Sequence, residues 1–263
     1  MAATPVVDEY GHGGRPMQGL DGLRALVTGG GSGIGAATAR LLRDRGAQVA
    51  CLDLDPGGSP ESALQVVGDV SDPGVGVVVA DAVQRLGGLD VLVNNAGVGA
   101  AGTVEDSEDD VFRRLHEVNV LGTVRVTRAA LPALRQSSAA VVVNTCSVAA
   151  CVGLPQRAAY SASKGAVWSL TLAMAADHLA DGIRVCAVAP GTAETPWVQR
   201  LLDAADDPSA ERAALEARQP QGRLVSADEV AESICYLASP SSGSTTATVL
   251  TVDGGLTGLR LPR

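Results

Sequence analysis

At 263 residues the chain is long enough for one large α/β domain with a substantial core, and short for two. Its hydrophobic fraction is 46%, with 31 glycines and a single phenylalanine, so the core is built of Ala, Val, Leu and Ile, and helices can lie close to a sheet. A formal net charge of −9 argues against nucleic acid as a partner, because phosphate neutralisation needs clustered Lys and Arg; a small anionic substrate, which one arginine would hold, is not excluded.

Residues 1–20 are rich in Gly and Pro, lack the charged-then-apolar pattern of a signal peptide, and read as a flexible N-terminal extension. Short β-branched runs then alternate with helical patterns. Strands are expected at Arg24–Val27, Gln48–Leu52, Ala63–Val67, Leu89–Asn94, Ala139–Asn144, Arg184–Val188 and Thr248–Val252. Helices are expected at Ile34–Arg45, Pro73–Leu86, Asp110–Leu134 and Tyr160–Ala180. The strands are continuous apolar runs, the mark of burial on both faces. This gives α/β architecture: a single-domain, Rossmann-type, doubly wound parallel sheet with helices on both faces, over residues 21–263. The link from Asp53 to Ala63, broken by Pro56, Gly57, Gly58 and Pro60, is too short for a long crossover helix. The charged segment Thr195–Arg218 reads as a lid over the site.

Five cysteines without paired spacing read as reduced thiols of a cytoplasmic protein. His12, His116 and His178 are too far apart for a metal site. No apolar run has the length of a membrane span.

The first strand runs into Thr28-Gly29-Gly30-Gly31-Ser32-Gly33-Ile34-Gly35 and then a helix. Glycines there permit a tight turn and close approach to a pyrophosphate, at which the helix N-terminus aims its free N–H groups. Asp53, 18 residues beyond Gly35, closes the next strand. Its carboxylate would accept from adenosine ribose hydroxyls and repel a 2′-phosphate, so the expected cofactor is NAD; a solvated loop acid is the other reading.

Tyr160 and Lys164 stand at i and i+4 on one helix face. An ammonium near a phenol favours the phenolate, which can exchange a proton with a carbonyl or hydroxyl oxygen while hydride moves at carbon. By spacing alone such a pair is usually a surface contact.

With these motifs the sequence resembles the short-chain dehydrogenase/reductase family from about Leu20 to the C-terminus. The glycine turn matches at Thr28–Gly35, Asn-Asn-Ala-Gly at Asn94-Asn95-Ala96-Gly97, and the catalytic serine, 13 residues before the tyrosine, at Ser147. Tyr-x-x-x-Lys matches Tyr160 and Lys164, the helix asparagine Asn119, and the Pro-Gly turn Pro190-Gly191, followed by Thr192 and Thr195. The resemblance implies that Tyr160 is the general acid/base and that Lys164 tunes it while binding the nicotinamide ribose. It implies that Ser147 bonds the substrate oxygen and that Asn119 holds a water linking Lys164 to solvent. It places Asp69 and Val70 near the adenine and Thr195 at the nicotinamide carboxamide, and counts Asn95, Ala96, Gly97, Pro190, Gly191 and Thr192 among the cofactor-binding residues, with Asn95 expected to brace the central sheet rather than touch substrate. Cys146 replaces the first serine of the family's usual Ser-Ser, and Thr246-Ala247 stands for its Thr-Gly, a small change expected at a subunit contact.

Similarity around Pro190–Trp197 and Ala217–Leu224 points to a branch with sugar-acid and 3-hydroxybutyrate dehydrogenases, in which an arginine stands three residues before the tyrosine, here Arg157. Arg157, helped by Gln156 and Arg218, is expected to pair with a substrate carboxylate, a solvated loop charge being the other reading. Gly153, Leu154, Trp197, Leu201 and Leu202 are expected to line the rest of the pocket. The alternatives are an NADP-dependent ketoreductase of acyl or biosynthetic intermediates, against which Asp53 counts, and a non-catalytic NAD-binding sensor, against which the Tyr–Lys pair counts. The family implies a homotetramer through the helices at Asp110–Leu134 and Tyr160–Ala180 and the C-terminal strand region.

Overall fold

The computed structural model describes residues 19–203 and 205–260, so all but the last two residues of the expected N-terminal extension lie outside the described residues. Leu20, placed at the end of that extension, is a core residue at 1% exposure, so the packed body already includes it.

The strands, in chain order, are β1 (Arg24–Thr28), β2 (Gln48–Asp53), β3 (Leu64–Val67), β4 (Val91–Asn94), β5 (Val141–Thr145), β6 (Arg184–Pro190), β7 (Ala193–Glu194), β8 (Val225–Ser226) and β9 (Val249–Val252). The helices are α1 (Gly33–Asp44), α2 (Val75–Leu86), α3 (Asp109–His116), α4 (Gly122–Leu134), α5 (Ala158–Asp177), α6 (Pro196–Asp203), α7 (Pro208–Ala217) and α8 (Ala227–Ala238). Seven strands form one sheet in the order β3-β2-β1-β4-β5-β6-β9, with every neighbouring pair parallel. The chain grows outward to β3, then returns to the other side of β1. That reversal opens a crevice outside the carboxyl ends of β1 and β4, where ligands of such sheets bind.

Burial on both faces explains the unbroken apolar strands. In β1, Ala25 and Val27 face one core with Ala39 and Leu42 of α1 and Ile234 and Leu237 of α8. Leu26 between them faces the opposite core, with Val79 of α2, Val126 and Leu134 of α4, and Met174 of α5. The Asp53–Ala63 link carries only a short 3-10 turn, Pro56–Gly58, as its prolines and glycines dictate.

Three features depart from the expected elements. The helix expected over Asp110–Leu134 is interrupted by a π-turn at Glu117–Leu121. Helix α8 was not anticipated; it is opened by a capping box in which Ser226 and Glu229 satisfy each other's backbone N–H groups. The short pair β7–β8 joins the two ends of the inserted α6–α7 segment. In addition, Ala247, expected at a subunit contact, adopts φ +53°, the left-handed region that disfavours a side chain. Glycine suits that position on backbone grounds, so the difference from Thr-Gly is a local strain.

At the amino end of the sheet, Asp90 is 6% exposed and accepts from the Arg24 backbone N–H, its Nε at 2.8 Å and the Ser137 hydroxyl at 2.6 Å. Burial pushes the Asp90 carboxyl up, but the bonds from Arg24 and Ser137 outweigh it and hold the carboxyl below the usual carboxylate range. A depressed folded value means stability that is present above pH ~4 and lost as pH falls further. Asp90→Asn is expected to cost about 2 kcal/mol at neutral pH, with the gap to the parent narrowing below pH ~4; urea unfolding at several pH values measures this.

Candidate active site

The crevice holds a cavity of about 470 Å³, within the range of small-molecule sites. Among its lining residues are Gly29, Ser32, Gly33 and Ile34 from the glycine turn, and Asn95, Ala96 and Gly97 after β4. Ser147, Tyr160 and Lys164, together with Pro190, Gly191, Thr192 and Thr195, complete that wall. Residues scattered over the sequence thus meet at the carboxyl ends of the strands.

The glycine turn is built for a backbone ligand. A Cβ on Gly35 would lie 1.9 Å from the Gly29 carbonyl oxygen, so only glycine lets α1 start this close to β1. Ser32 is the N-cap of α1, extended at φ −155°, yet its side chain makes no capping bond. Its exposed hydroxyl and the first N–H groups of α1 are left for an anion, and no acidic side chain stands in that first turn. The turn's walls are tied by Asn95, whose side-chain amide donates to the Thr28 and Gly29 carbonyls, both at 3.2 Å. Asn95 Oδ1 also accepts from Thr145 Oγ1 at 3.4 Å, so its side chain links the ends of β1 and β5, and its neighbour extends that bracing deeper. Buried Asn94 donates to Thr127 Oγ1 and Asn144 Oδ1, both at 2.9 Å, and Asn144 donates on to Thr171.

Asp53 Oδ2 accepts from the Gly31 N–H at 2.8 Å, leaving its carboxylate at the rim of the turn. The cavity does not extend to Asp53, Asp69 or Val70. Asp69 is turned to its own loop, accepting from the Ser71 N–H and hydroxyl, and those bonds hold its carboxyl below the usual range. Val70 is 7% exposed and packs against Gly122, so its side chain faces the protein.

At the centre, Lys164 is 5% exposed, and its Nζ donates to the Thr145 carbonyl at 2.8 Å and lies 5.9 Å from the Tyr160 ring centroid. An ammonium carries three donors. One protein acceptor is provided here, and no carboxylate bridges to this lysine among the described residues. A buried cation so sparsely partnered costs free energy unless a ligand supplies oxygens. Ser147 accepts from the Ala149 N–H at 3.2 Å as N-cap of a 3-10 turn, which fixes its oxygen and leaves its own proton to donate. The Cys146 thiol, where the family has serine, is buried and reaches the Lys164 carbonyl at 3.2 Å, still joining β5 to α5; burial pushes this thiol up.

Asn119 lies in the π-turn at 1% exposure. Its Nδ2 donates to the Val98 carbonyl and Ser163 Oγ, each at 3.0 Å, and its Oδ1 accepts from the Val98 N–H at 2.8 Å. Both amide protons are spent, so a relay water at this side chain would donate to Oδ1, and the side-chain contacts hold the loop after β4 against α5. The extra residue of the π-turn aims this amide inward, a device common at functional sites.

The α6–α7 segment covers the opening. Thr195 packs across Gly33, and the Trp197 ring lies over Gly99, where a Cβ would come within 2.8 Å of it. Leu154, Trp197 and Leu201 line the cavity as expected; Gly153 and Leu202 do not, the latter lying in a small cluster with Val198, Leu215 and Leu224. Sequence reasoning overlooked Gln219, which is 2% exposed and donates from Nε2 to the Thr192 carbonyl at 3.2 Å. Its adjacency to Arg218 was the one available signal.

A family model described as enoyl-(acyl carrier protein) reductase matches residues 29–257. The chain is 38% identical to 2-(S)-hydroxypropyl-CoM dehydrogenase 3 of Xanthobacter autotrophicus over 89% of its own length and 96% of the relative's. It is 39% identical to cis-4-hydroxycyclohexanecarboxylate dehydrogenase of Sinomonas cyclohexanicum, again over 89% and 96%. The solved 3-ketoacyl-(acyl-carrier-protein) reductase from Brucella melitensis, complexed with NADH, superposes with a TM-score of 0.82 at 34% identity, covering 90% of this chain and 99% of that one. With the glycine cradle, the buried lysine and the Ser–Tyr–Lys arrangement already in place, these matches make the chain a member of the short-chain dehydrogenase/reductase family of nicotinamide-dependent oxidoreductases, acting on CH–OH groups.

Proposed function

We propose that the chain is an NAD-dependent dehydrogenase moving a hydride between the cofactor and a secondary alcohol or ketone, with hydroxy acids or sugar-derived acids as its substrate class. The observation that carries this reading is the buried Lys164 ammonium, held by one carbonyl beside Tyr160 at the mouth of a glycine cradle. Both the cradle and the spare ammonium donors fit a dinucleotide whose pyrophosphate lies at α1 and whose ribose hydroxyls reach Lys164. When bound there, the nicotinamide ring supplies the acceptor or donor of hydride.

The chain's own groups handle the oxygen. Ser147 donates to the substrate oxygen and fixes its position. Tyr160 takes the hydroxyl proton as the alcohol is oxidised and returns it in the reverse direction. Lys164, one helical turn from Tyr160, sets its ammonium beside that ring and holds the ribose. Asn119 positions this set by tying the loop that carries Val98 to Ser163 on α5. Asp53 supports NAD over NADP, since its carboxylate, held by the Gly31 N–H at the rim of the glycine turn, would repel a 2′-phosphate approaching there. Arg157 supplies a handle for a substrate carboxylate. Among the rivals, the sensor reading lacks a reason for the sparsely partnered lysine beside an intact tyrosine. The relatives described as dehydrogenases of a hydroxypropyl compound and a hydroxycarboxylate fit the same reading.

Tyr160→Phe removes the proton carrier and leaves the ring, so it is expected to lower kcat roughly 10²- to 10⁴-fold while NADH still binds, as followed by nicotinamide absorbance and cofactor fluorescence. Asp53→Ala is expected to narrow the preference for NAD over NADP by at least about tenfold in kcat/KM, the equivalent of one lost charge-assisted contact and one removed repulsion. The reading includes a cytoplasmic homotetramer. Ala162, Ala173 and Ala176 on α5 are exposed small residues suited to a close helix contact between copies, and light scattering should return four times the chain mass.

A further inference from the structure

The π-turn that carries Asn119 is spanned by an ion pair that its own geometry makes possible. The Gly122 N–H donates to the Glu117 carbonyl, five residues back, so the helix absorbs one extra residue between α3 and α4. At 3.6 residues per turn, residues eight apart in a regular helix stand about 80° apart around the axis. One absorbed residue returns such a pair to where residues seven apart stand, within about 20° of one line. Glu117 and Arg125 are eight apart and bracket the turn, and their side chains meet, Arg125 Nη2 to Glu117 Oε1 at 2.6 Å. The pair is made in the π register and drawn apart in the α register.

Its setting separates this pair from an ordinary surface contact. The Arg125 side chain is 18% exposed, and its Nη1 donates to the Ser71 carbonyl at 3.1 Å. That loop is itself seated on the start of α4, where a Cβ on Gly122 would come within 2.8 Å of Val70 Cγ2. A guanidinium already anchored to backbone loses little freedom in meeting a carboxylate, unlike the mobile side chains of an exposed pair such as Arg113 with Asp109. Inside the bracket, the Asn119 carbonyl accepts from the Thr123 hydroxyl at 2.9 Å, a bond of the kind that bends helices. Relaxation to a regular helix would rotate Asn119 by about 100° relative to α4, away from Val98 and Ser163. Ser163 precedes Lys164, and Val98 lines the cavity, so the aim of Asn119 bears on both walls of the proton-handling set.

We propose that Arg125 is a positioning residue: with Glu117 it locks the π-turn, and through that turn it fixes the aim of Asn119 while touching neither substrate nor cofactor. The effect on turnover rests on the dehydrogenase reading above, whereas the lock is a property of the fold and is read without turnover. The Val98 N–H is its reporter, because Asn119 Oδ1 is the acceptor of that N–H at 2.8 Å. The glycine turn and Asp53 belong to β1, α1 and β2, away from the lock, so cofactor affinity is separable from it.

Arg125→Met keeps much of the stem and loses both contacts, Glu117→Gln removes the charge at the other end, and Arg125→Lys keeps a cation without the fork. Hydrogen exchange of the full chain is the first readout. In Arg125→Met the Val98 amide should exchange at least about tenfold faster, while core amides of β4 and β5, which report global opening, keep the parent rate. Turnover of cyclohexanol, 4-hydroxycyclohexanecarboxylate and 3-hydroxybutyrate with NAD is the second. There kcat should fall roughly 5- to 50-fold with KM for NAD within about threefold of the parent. Arg125→Lys should recover part of both changes, and the double variant with Glu117→Gln should lose little more than Arg125→Met alone. Unchanged Val98 exchange in Arg125→Met overturns the lock, and faster Val98 exchange with an unchanged kcat overturns the positioning role. A rise spread evenly over β4 and β5 that Arg125→Lys does not recover overturns both in favour of general stability. If the parent turns over none of these alcohols with NAD or NADP, the dehydrogenase reading falls and Val98 exchange still decides the lock.

Discussion

A buried ammonium short of partners is the constraint around which this site is organised. Lys164 sits at 5% exposure with the carbonyl of Thr145, the last residue of β5, as its acceptor. Holding a cation so deep is tolerable where oxygens meet its remaining donors, as the hydroxyls of a bound ligand would. The surrounding parts keep the lysine where such oxygens would find it. Cys146 ties β5 to the Lys164 carbonyl, and Asn119 ties α5 to the loop after β4 through Ser163. That loop is in turn joined to the glycine turn by Asn95. The two halves of the sheet are thereby joined at the crevice by side-chain amides, where no backbone ladder can run.

The architecture was legible because its physics is repetitive. Strands buried on both faces must be apolar throughout, and β1 shows why: adjacent residues feed opposite cores. Glycine positions in the turn were legible for a similar reason, as backbone contact at Gly35 tolerates nothing larger. What escaped the sequence lacks such a pattern. The π-turn at Glu117–Leu121 adds one residue to a helix without disturbing its composition, yet it decides where Asn119 points. The commitment of the Asn119 amide to Val98 and Ser163 depends on that turn, so its role as a side-chain water holder could not be judged from a matching motif. Gln219 was missed because a glutamine after a charged helix ordinarily reads as solvent-exposed. The left-handed Ala247 is visible only in the backbone.

Net charge misleads about the site in an instructive way. A sum of −9 argues against a polyanion on the surface, but it says nothing of how charges are sorted. Here the acids pair with surface arginines and leave the cavity to unpaired cations and the three threonines and two serines that line it with them. Electrostatic attraction inside such a crevice acts through less water than at the surface, so a few unpaired guanidinium groups outweigh a larger, screened excess of carboxylates.

The division of labour in the fold follows from where each group is anchored. Tyr160, Lys164 and Ser147 belong to α5 and to the end of β5, elements packed into the two cores, and their geometry is set by the whole sheet. Arg218, Trp197 and Leu201 belong to the inserted α6–α7 segment, whose own core is the small cluster of Val198, Leu202, Leu215 and Leu224. That segment touches the catalytic frame at a few points, among them β7–β8, Gln219 on the Thr192 carbonyl, Thr195 over Gly33 and Trp197 over Gly99. A change of side chain on α6 or α7 can therefore alter what enters the site without moving the proton-transfer groups. Fold and reaction class are properties of the sheet, whereas the choice of substrate is a property of an insertion pinned to it, and it is in that insertion that sequence periodicity carries the least information.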